Sequence, residues 1–166
     1  YEIIEIIGVG GMAVVYKAFD NIDNRIVAVK VLKDEFLQNE EFRRRFKNES
    51  KAIAVLSHPN IVKIYDVSYG DNLQYIVMEY VDGITLKEYI EQQGRLDIRE
   101  AIYFVTQILK ALQHAHDKGI VHRDIKPANI MVSEFGDYKL GDFGVSKIMD
   151  HTTYATPMGT PEYQAP

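Results

Sequence analysis

The spacing of hydrophobic residues changes period several times along this chain. Tyr1–Ile7, Ala13–Asp20 and Arg25–Leu32 are rich in β-branched residues and predict three strands. Glycines follow the first strand, and the polar turn Asn21-Ile22-Asp23-Asn24 joins the second to the third. From Glu40 to Leu56 the spacing becomes helical, with Phe42, Phe46, Ile53 and Leu56 on one face. Two further strands, Val62–Tyr69 and Gln74–Tyr80, flank the turn Gly70-Asp71-Asn72. Beyond Asp82-Gly83 the pattern is helical again. Asp97–Lys118 is the clearest helix: Asp97 and Glu100 have capping-box spacing, and Ile98, Ile102, Val105, Leu109 and Leu112 form an apolar stripe. Gly119 follows where a left-handed residue would end it. Short strands at Ile130–Val132 and Tyr138–Leu140 flank a turn at Glu134–Asp137.

The pattern places a boundary near Val81–Gly83, between a strand-rich part (1–81) and a helix-rich part (82–166), an α+β arrangement. The 166 residues suit one ordinary domain. The net charge of −5, with Arg43-Arg44-Arg45 as the only basic cluster, argues against nucleic acid as a partner. That cluster reads as the solvated side of a helix. The absence of cysteine excludes a disulfide framework, Cys-ligated zinc and a thiol nucleophile, and fits a reducing cytosol. No apolar stretch approaches the roughly 20 residues that span a bilayer, so no membrane contact is expected from this segment.

Candidate chemistry concentrates in His122-Arg123-Asp124-Ile125-Lys126-Pro127-Ala128-Asn129 and in Asp142-Phe143-Gly144. Asp124 can accept a proton and Lys126 can neutralise phosphate charge. Asn129 and Asp142 offer the hard oxygen ligands that suit Mg²⁺, with Mn²⁺ as an alternative. Arg123 can hold a phosphate. His122 and Phe143 read as packing residues. Upstream, Gly8-Val9-Gly10-Gly11-Met12-Ala13-Val14-Val15 lies between two strands, where backbone N–H groups can approach phosphate; alone it equally fits a flexible turn. Lys30 shares a strand face with Ala28 and needs an anionic partner if that face is buried, unless it snorkels from an edge. Glu49 lies seven residues after Phe42, within the helix's apolar stripe, and pairing it with Lys30 accounts for both charges. A solvated Glu49 is the alternative.

Together these runs resemble a protein kinase, most closely the eukaryotic-like serine/threonine kinases of bacteria, from Tyr1 to Pro166. The resemblance implies an antiparallel-sheet N-lobe with one main helix (1–81) and the first part of a mainly helical C-lobe (82–166), with ATP in the cleft. It implies that Gly8, Val9, Gly10, Val15, Ala28, Lys30 and Met131 bind ATP. Met78 would border the adenine pocket, and the main chain of Glu79 and Val81 would bond the base. Asp124 would be the catalytic acceptor, Lys126 and the Lys30–Glu49 pair its charged partners, and Asn129 and Asp142 the metal ligands. The family's third loop glycine is Ala13 here, which leaves the phosphate geometry open.

Lys126 and Gly159-Thr160-Pro161-Glu162-Tyr163 resemble the serine/threonine class. The segment between Gly144 and Gly159 resembles an activation loop, with Thr152, Thr153 and Thr156 as candidate phosphorylation sites docking on Arg123. Thr160 would pack beside Asp124 and Lys126. The implied function is transfer of the ATP γ-phosphoryl to protein Ser/Thr hydroxyls, with a kinase homodimer for trans-autophosphorylation and a cytoplasmic location, the parent protein being free to carry a membrane anchor. A nucleotide-binding scaffold and a small-molecule kinase are the competing readings; intact Lys30, Asp124 and Asp142 count against the first, and Gly159–Tyr163 against the second. Ala165-Pro166 resembles a signature after which the family's remaining C-lobe helices follow, so the 166-residue chain is expected to be poorly stable or inactive alone.

Overall fold

The structure, a computed structural model, describes residues 1–141 apart from the side chains of Arg45 and Glu49. The chain forms two units, Tyr1–Val55 with Lys63–Tyr80, and Leu56–Val62 with the residues from Val81 on.

In the first unit, β1 (Glu2–Val9), β2 (Ala13–Asp20), β3 (Arg25–Leu32), β4 (Ile64–Tyr69) and β5 (Gln74–Glu79) make one sheet in the order β1-β2-β3-β5-β4. Every neighbouring pair is antiparallel. The β2–β3 turn closes as its composition predicts: Asp20 Oδ1 accepts from the N–H groups of Ile22 and Asp23, and Asn24 adopts φ +51°. Strand alternation then puts Ala18, Val27, Val29 and Val77 together in a buried cluster, with Tyr65 and Tyr75 against it. Arg25 lies 3.6 Å over the Tyr65 ring and is anchored by the buried carboxylate of Asp20.

Two helices follow β3, the single turn α1 (Asp34–Leu37) and α2 (Glu40–Ile53). Asn39 caps α2 by accepting from the Phe42 N–H. Phe42, Phe46 and Ile53 are buried along its expected face. The helix stops three residues short of the expected end. Leu56 is buried as well, but in the second unit. His58-Pro59 follows closely, and a residue before proline resists helical geometry. Ser50 shares the buried face, and its hydroxyl has no hydrogen-bond partner among the described residues.

In the second unit, β6 (Gly83–Thr85), β7 (Ile130–Ser133) and β8 (Tyr138–Leu140) form a sheet in that order, with helices α3 (Leu86–Gln93) and α4 (Ile98–Asp117). The strand β6 comes before the helix expected after Gly83; three residues are too few to show a period. Thr85 and Glu88 form a full capping box on α3. Asp97 caps α4 by accepting from the Arg99 N–H. Glu100 does not complete the expected box. It instead accepts from the hydroxyls of Tyr89 and Tyr138, tying α3, α4 and β8 together. Burial first, then the Glu100 charge, pushes the Tyr138 hydroxyl up to about 12. Gly119, at φ +74°, ends the helix as its position predicts.

Helix α4 departs from the simple amphipathic picture. Its buried residues are Ile108, Ala111 and Ala115, while Ile98, Ile102, Val105 and Leu109 of the expected stripe are 45–73% exposed. The helix is apolar on two faces, and the buried one is the face that carries Ile108, Ala111 and Ala115.

Leu56–Val62 joins this unit through β8. Val62 N–H donates to Leu140 O, Leu140 N–H to Asn60 O, and Asn60 Nδ2 to Tyr138 O, all at 2.8–2.9 Å. His58 Nδ1 accepts from the Asn60 N–H and His114 Nε2 from the Ser57 N–H, with the two rings 5.3 Å apart.

Two predictions follow from this packing. A Cβ at Gly83 would lie 2.0 Å from Val132 O. Gly83→Ala should therefore cost about 2–3 kcal/mol, a fall of roughly 4–12 °C in Tm, read by calorimetry on the full-length protein. The His58 imidazole is held below its ordinary 6.5 by burial, then by His114 and Lys110. Its folded form binds protons less readily than its unfolded form, so its contribution is complete above 6.5 and is lost as pH falls below it. His58→Asn, which keeps an acceptor for the Asn60 N–H without titrating near neutrality, should flatten the decline of Tm with acidification.

Candidate active site

Register decides which side chains share a face in the first unit. Gly8 opposes Val15, Val15 opposes Lys30, and Ala28 opposes Met78. Opposed residues project to the same side, so Gly8, Val15, Ala28, Lys30 and Met78 lie together, on the face away from Val27, Val29 and Val77. Ala28 is buried there and Lys30 half-buried. Glu79 ends β5 with its N–H donating to Lys63 O and its carboxylate accepting from the Lys63 N–H. The Glu49 side chain, the expected partner of Lys30, lies outside the described part of the structure.

The glycine turn is tighter than the sequence suggests. β1 runs on through Gly8 and Val9, Val9 pairs with Val14, and Gly10 N–H donates to Ala13 O at 2.9 Å. Only Gly10, Gly11 and Met12 remain outside the strands. Lys33 holds them: its backbone N–H donates to Met12 O at 2.9 Å and its Nζ to Gly11 O at 3.0 Å. Sequence reasoning missed Lys33, because its partners are main-chain carbonyls that leave no trace in side-chain types.

In the second unit, the loop between α4 and β7 is fastened at Gly141. The buried His122 accepts the Asp124 N–H at Nδ1 and faces Gly141 O with Nε2 at 2.7 Å. With Nδ1 an acceptor, the proton resides on Nε2 and is donated to that carbonyl. Gly141 N–H in turn donates to Asn129 O. Pro127–Asn129 form a single 3₁₀ turn that leads into β7.

This fastening brings together two of the expected catalytic side chains, Asp124 and Lys126, and one expected metal ligand, Asn129. Asn129 Nδ2 donates to Asp124 O at 2.9 Å and to Asp124 Oδ2 at 3.2 Å. Lys126 Nζ stands 3.5 Å from the same Oδ2. Asp124 is mostly buried, and Lys126 more open. Because the Asn129 nitrogen serves Asp124, the other end of the amide is its oxygen, a hard donor that fits a divalent cation. Arg123 is exposed and takes φ +68°. Val81 precedes β6, and Met131, half-buried in β7, pairs with Thr85 and Lys139. Asp142, the other expected metal ligand, and Thr152, Thr153, Thr156 and Thr160 lie outside the described residues.

Comparison with known proteins agrees on a family. The protein kinase domain model matches residues 1–166. A probable serine/threonine-protein kinase of Clostridium perfringens is 51% identical over 169 residues, which cover 100% of this chain and 25% of that protein. Serine/threonine-protein kinase PrkC of Bacillus subtilis is 46% identical, with 100% of this chain and 26% of that protein covered. The chain thus spans about a quarter of the length of these relatives. The crystal structure of the PknI kinase domain of Mycobacterium tuberculosis superposes with a TM-score of 0.77 at 33% identity, over 86% of this chain and 59% of that one. The sheet with its helix, the short second sheet and the fastened loop are accordingly parts of one known fold, and the chain belongs to the protein kinase domain family.

Proposed function

We propose that the protein carrying this chain transfers the γ-phosphoryl group of ATP to serine or threonine hydroxyls of other proteins. The arrangement of Asn129 and Lys126 on one oxygen of Asp124 carries this reading. An acceptor hydroxyl needs a carboxylate held in one orientation, and Asn129 fixes that orientation through both the carboxylate and the carbonyl of Asp124. Asp124 orients the hydroxyl and takes its proton as the oxygen attacks phosphorus. Lys126, beside it, neutralises charge on the transferred group.

Protein kinases work with ATP and a divalent metal. Here the metal is assigned as Mg²⁺, with Mn²⁺ as an alternative, held by Asn129 Oδ1 and Asp142; when bound it offsets phosphate charge. In the first unit, Gly8, Val9 and Gly10 line the approach to phosphate, where the absence of a Cβ at the glycines lets the backbone come close, although the Gly10 N–H itself serves Ala13 O; Lys30, paired with Glu49, grips the inner phosphates. Val15, Ala28, Met78 and Met131 offer apolar contact to adenine, and the main chain of Glu79 and Val81 its hydrogen bonds. Since Glu79 N–H serves Lys63 O, the Glu79 carbonyl is the group assigned to the base. Phosphorylation at Thr152, Thr153 or Thr156, in trans within a homodimer, would dock a phosphate on Arg123, and Thr160 would steady Asp124 and Lys126. Among the described residues no helix is long and apolar enough to cross a membrane.

Radiolabel transfer from ATP to protein, with Mg²⁺, tests the reaction in the full-length protein. Asp124→Asn keeps the shape of the side chain and should lower transfer by about 10²–10⁴-fold with nucleotide affinity retained. Equal labelling would remove Asp124 from its role, and binding without transfer by the wild type would favour a scaffold. Replacing Thr152, Thr153 and Thr156 together by alanine should lower turnover at saturating ATP; unchanged turnover would end the switching idea.

A further inference from the structure

Lys33 is a surface lysine that none of the assigned roles uses, yet it makes two contacts with the glycine turn. Its own backbone is fixed from both sides, donating to Met12 O and accepting from Phe36 N–H at the start of α1. Beneath the turn, the buried residues Ala13 and Leu32 are paired across β2 and β3. From this footing Nζ reaches Gly11 O. Two successive carbonyls, of Gly11 and Met12, therefore point at one residue.

A trans peptide unit carries its N–H opposite its C=O, and the described residues contain no cis bond. With the Gly11 and Met12 carbonyls turned toward Lys33, the N–H groups of Met12 and Ala13 are turned away from it. Among the described residues no other side chain bonds a carbonyl of this turn, and a Cβ at Gly11 would meet nothing within 4 Å. The Gly11–Met12 peptide plane is thus easily rotated unless Nζ holds it.

We propose that Lys33 is a positioning residue for nucleotide phosphates: it fixes the peptide planes of the glycine turn so that the N–H groups of Met12 and Ala13 serve as phosphate donors. This also accounts for how the turn can work with Ala13 where the family has a third glycine. The ordering that glycine would leave to the ligand is supplied in advance by Lys33. The inference rests on the nucleotide reading above.

The test uses Lys33→Met and Lys33→Arg in the full-length protein, with ATP and adenosine as separate probes. Lys33→Met should weaken ATP roughly fivefold, the worth of one hydrogen bond, leave adenosine unchanged, and speed amide exchange across Gly10–Ala13 in the nucleotide-free protein. Lys33→Arg, which can still donate to Gly11 O, should restore most of both effects. The ATP loss should persist at about 0.5 M salt, where a distant charge is screened. Equal loss of adenosine, a loss that vanishes in salt, or unaltered exchange would each overturn the role of Lys33. A wild type that binds neither probe would instead refute the nucleotide reading.

Discussion

The backbone of Gly141 holds the second unit's chemistry in place. Its carbonyl accepts from His122 and its N–H donates to Asn129 O, so one end of β8 grips both ends of an eight-residue loop. The His122 ring is buried, and a buried hydrogen-bonding group is costly to leave without its partner. The loop therefore cannot shift without breaking these bonds. Asp124 inherits its position from this: its N–H is taken by His122, its carbonyl and carboxylate by Asn129. Behind Gly141, β8 is itself braced by Asn60 and Val62 on one edge and β7 on the other.

The first unit reaches a comparable end by different means. Strand register alone lines up a glycine, two small or branched residues, a lysine and a methionine across four strands. One unit thus positions its groups by backbone repetition and the other by a few side-chain bonds. Register tolerates substitution well, since any residue keeps its side of the sheet. The fastened loop does not, since each bond there has one donor and one acceptor of particular shape.

Much of this was legible in the sequence. Strand alternation placed Ala28 and Lys30 on one side, Asp97 and Gly119 marked the ends of α4, and the spacing of Asp124, Lys126 and Asn129 told that these side chains belong together. The features that sequence spacing does not reveal have physical reasons. Periodicity finds apolar faces but not which of two faces is covered, so it points to the exposed stripe of α4, while the buried Ala111 and Ala115 carry little hydropathy. Ser50 hides within the Phe42–Ile53 face because a single hydroxyl hardly alters the pattern. Glu100 looked like a cap because its spacing is right; two tyrosines from other elements compete for it, and only the fold brings them near. His122 read as packing and is packed, but it is also the bond that sets the loop.

Arg123 adopts φ +68°, a conformation that costs a branched or long side chain roughly 1–2 kcal/mol and glycine nothing. Its neighbours leave it little choice, since His122 is fixed to Gly141 and Asp124 to Asn129. Backbone preference and side-chain chemistry are therefore opposed at this one residue. A glycine there would relax the chain and erase the guanidinium, so backbone preference alone does not account for the arginine.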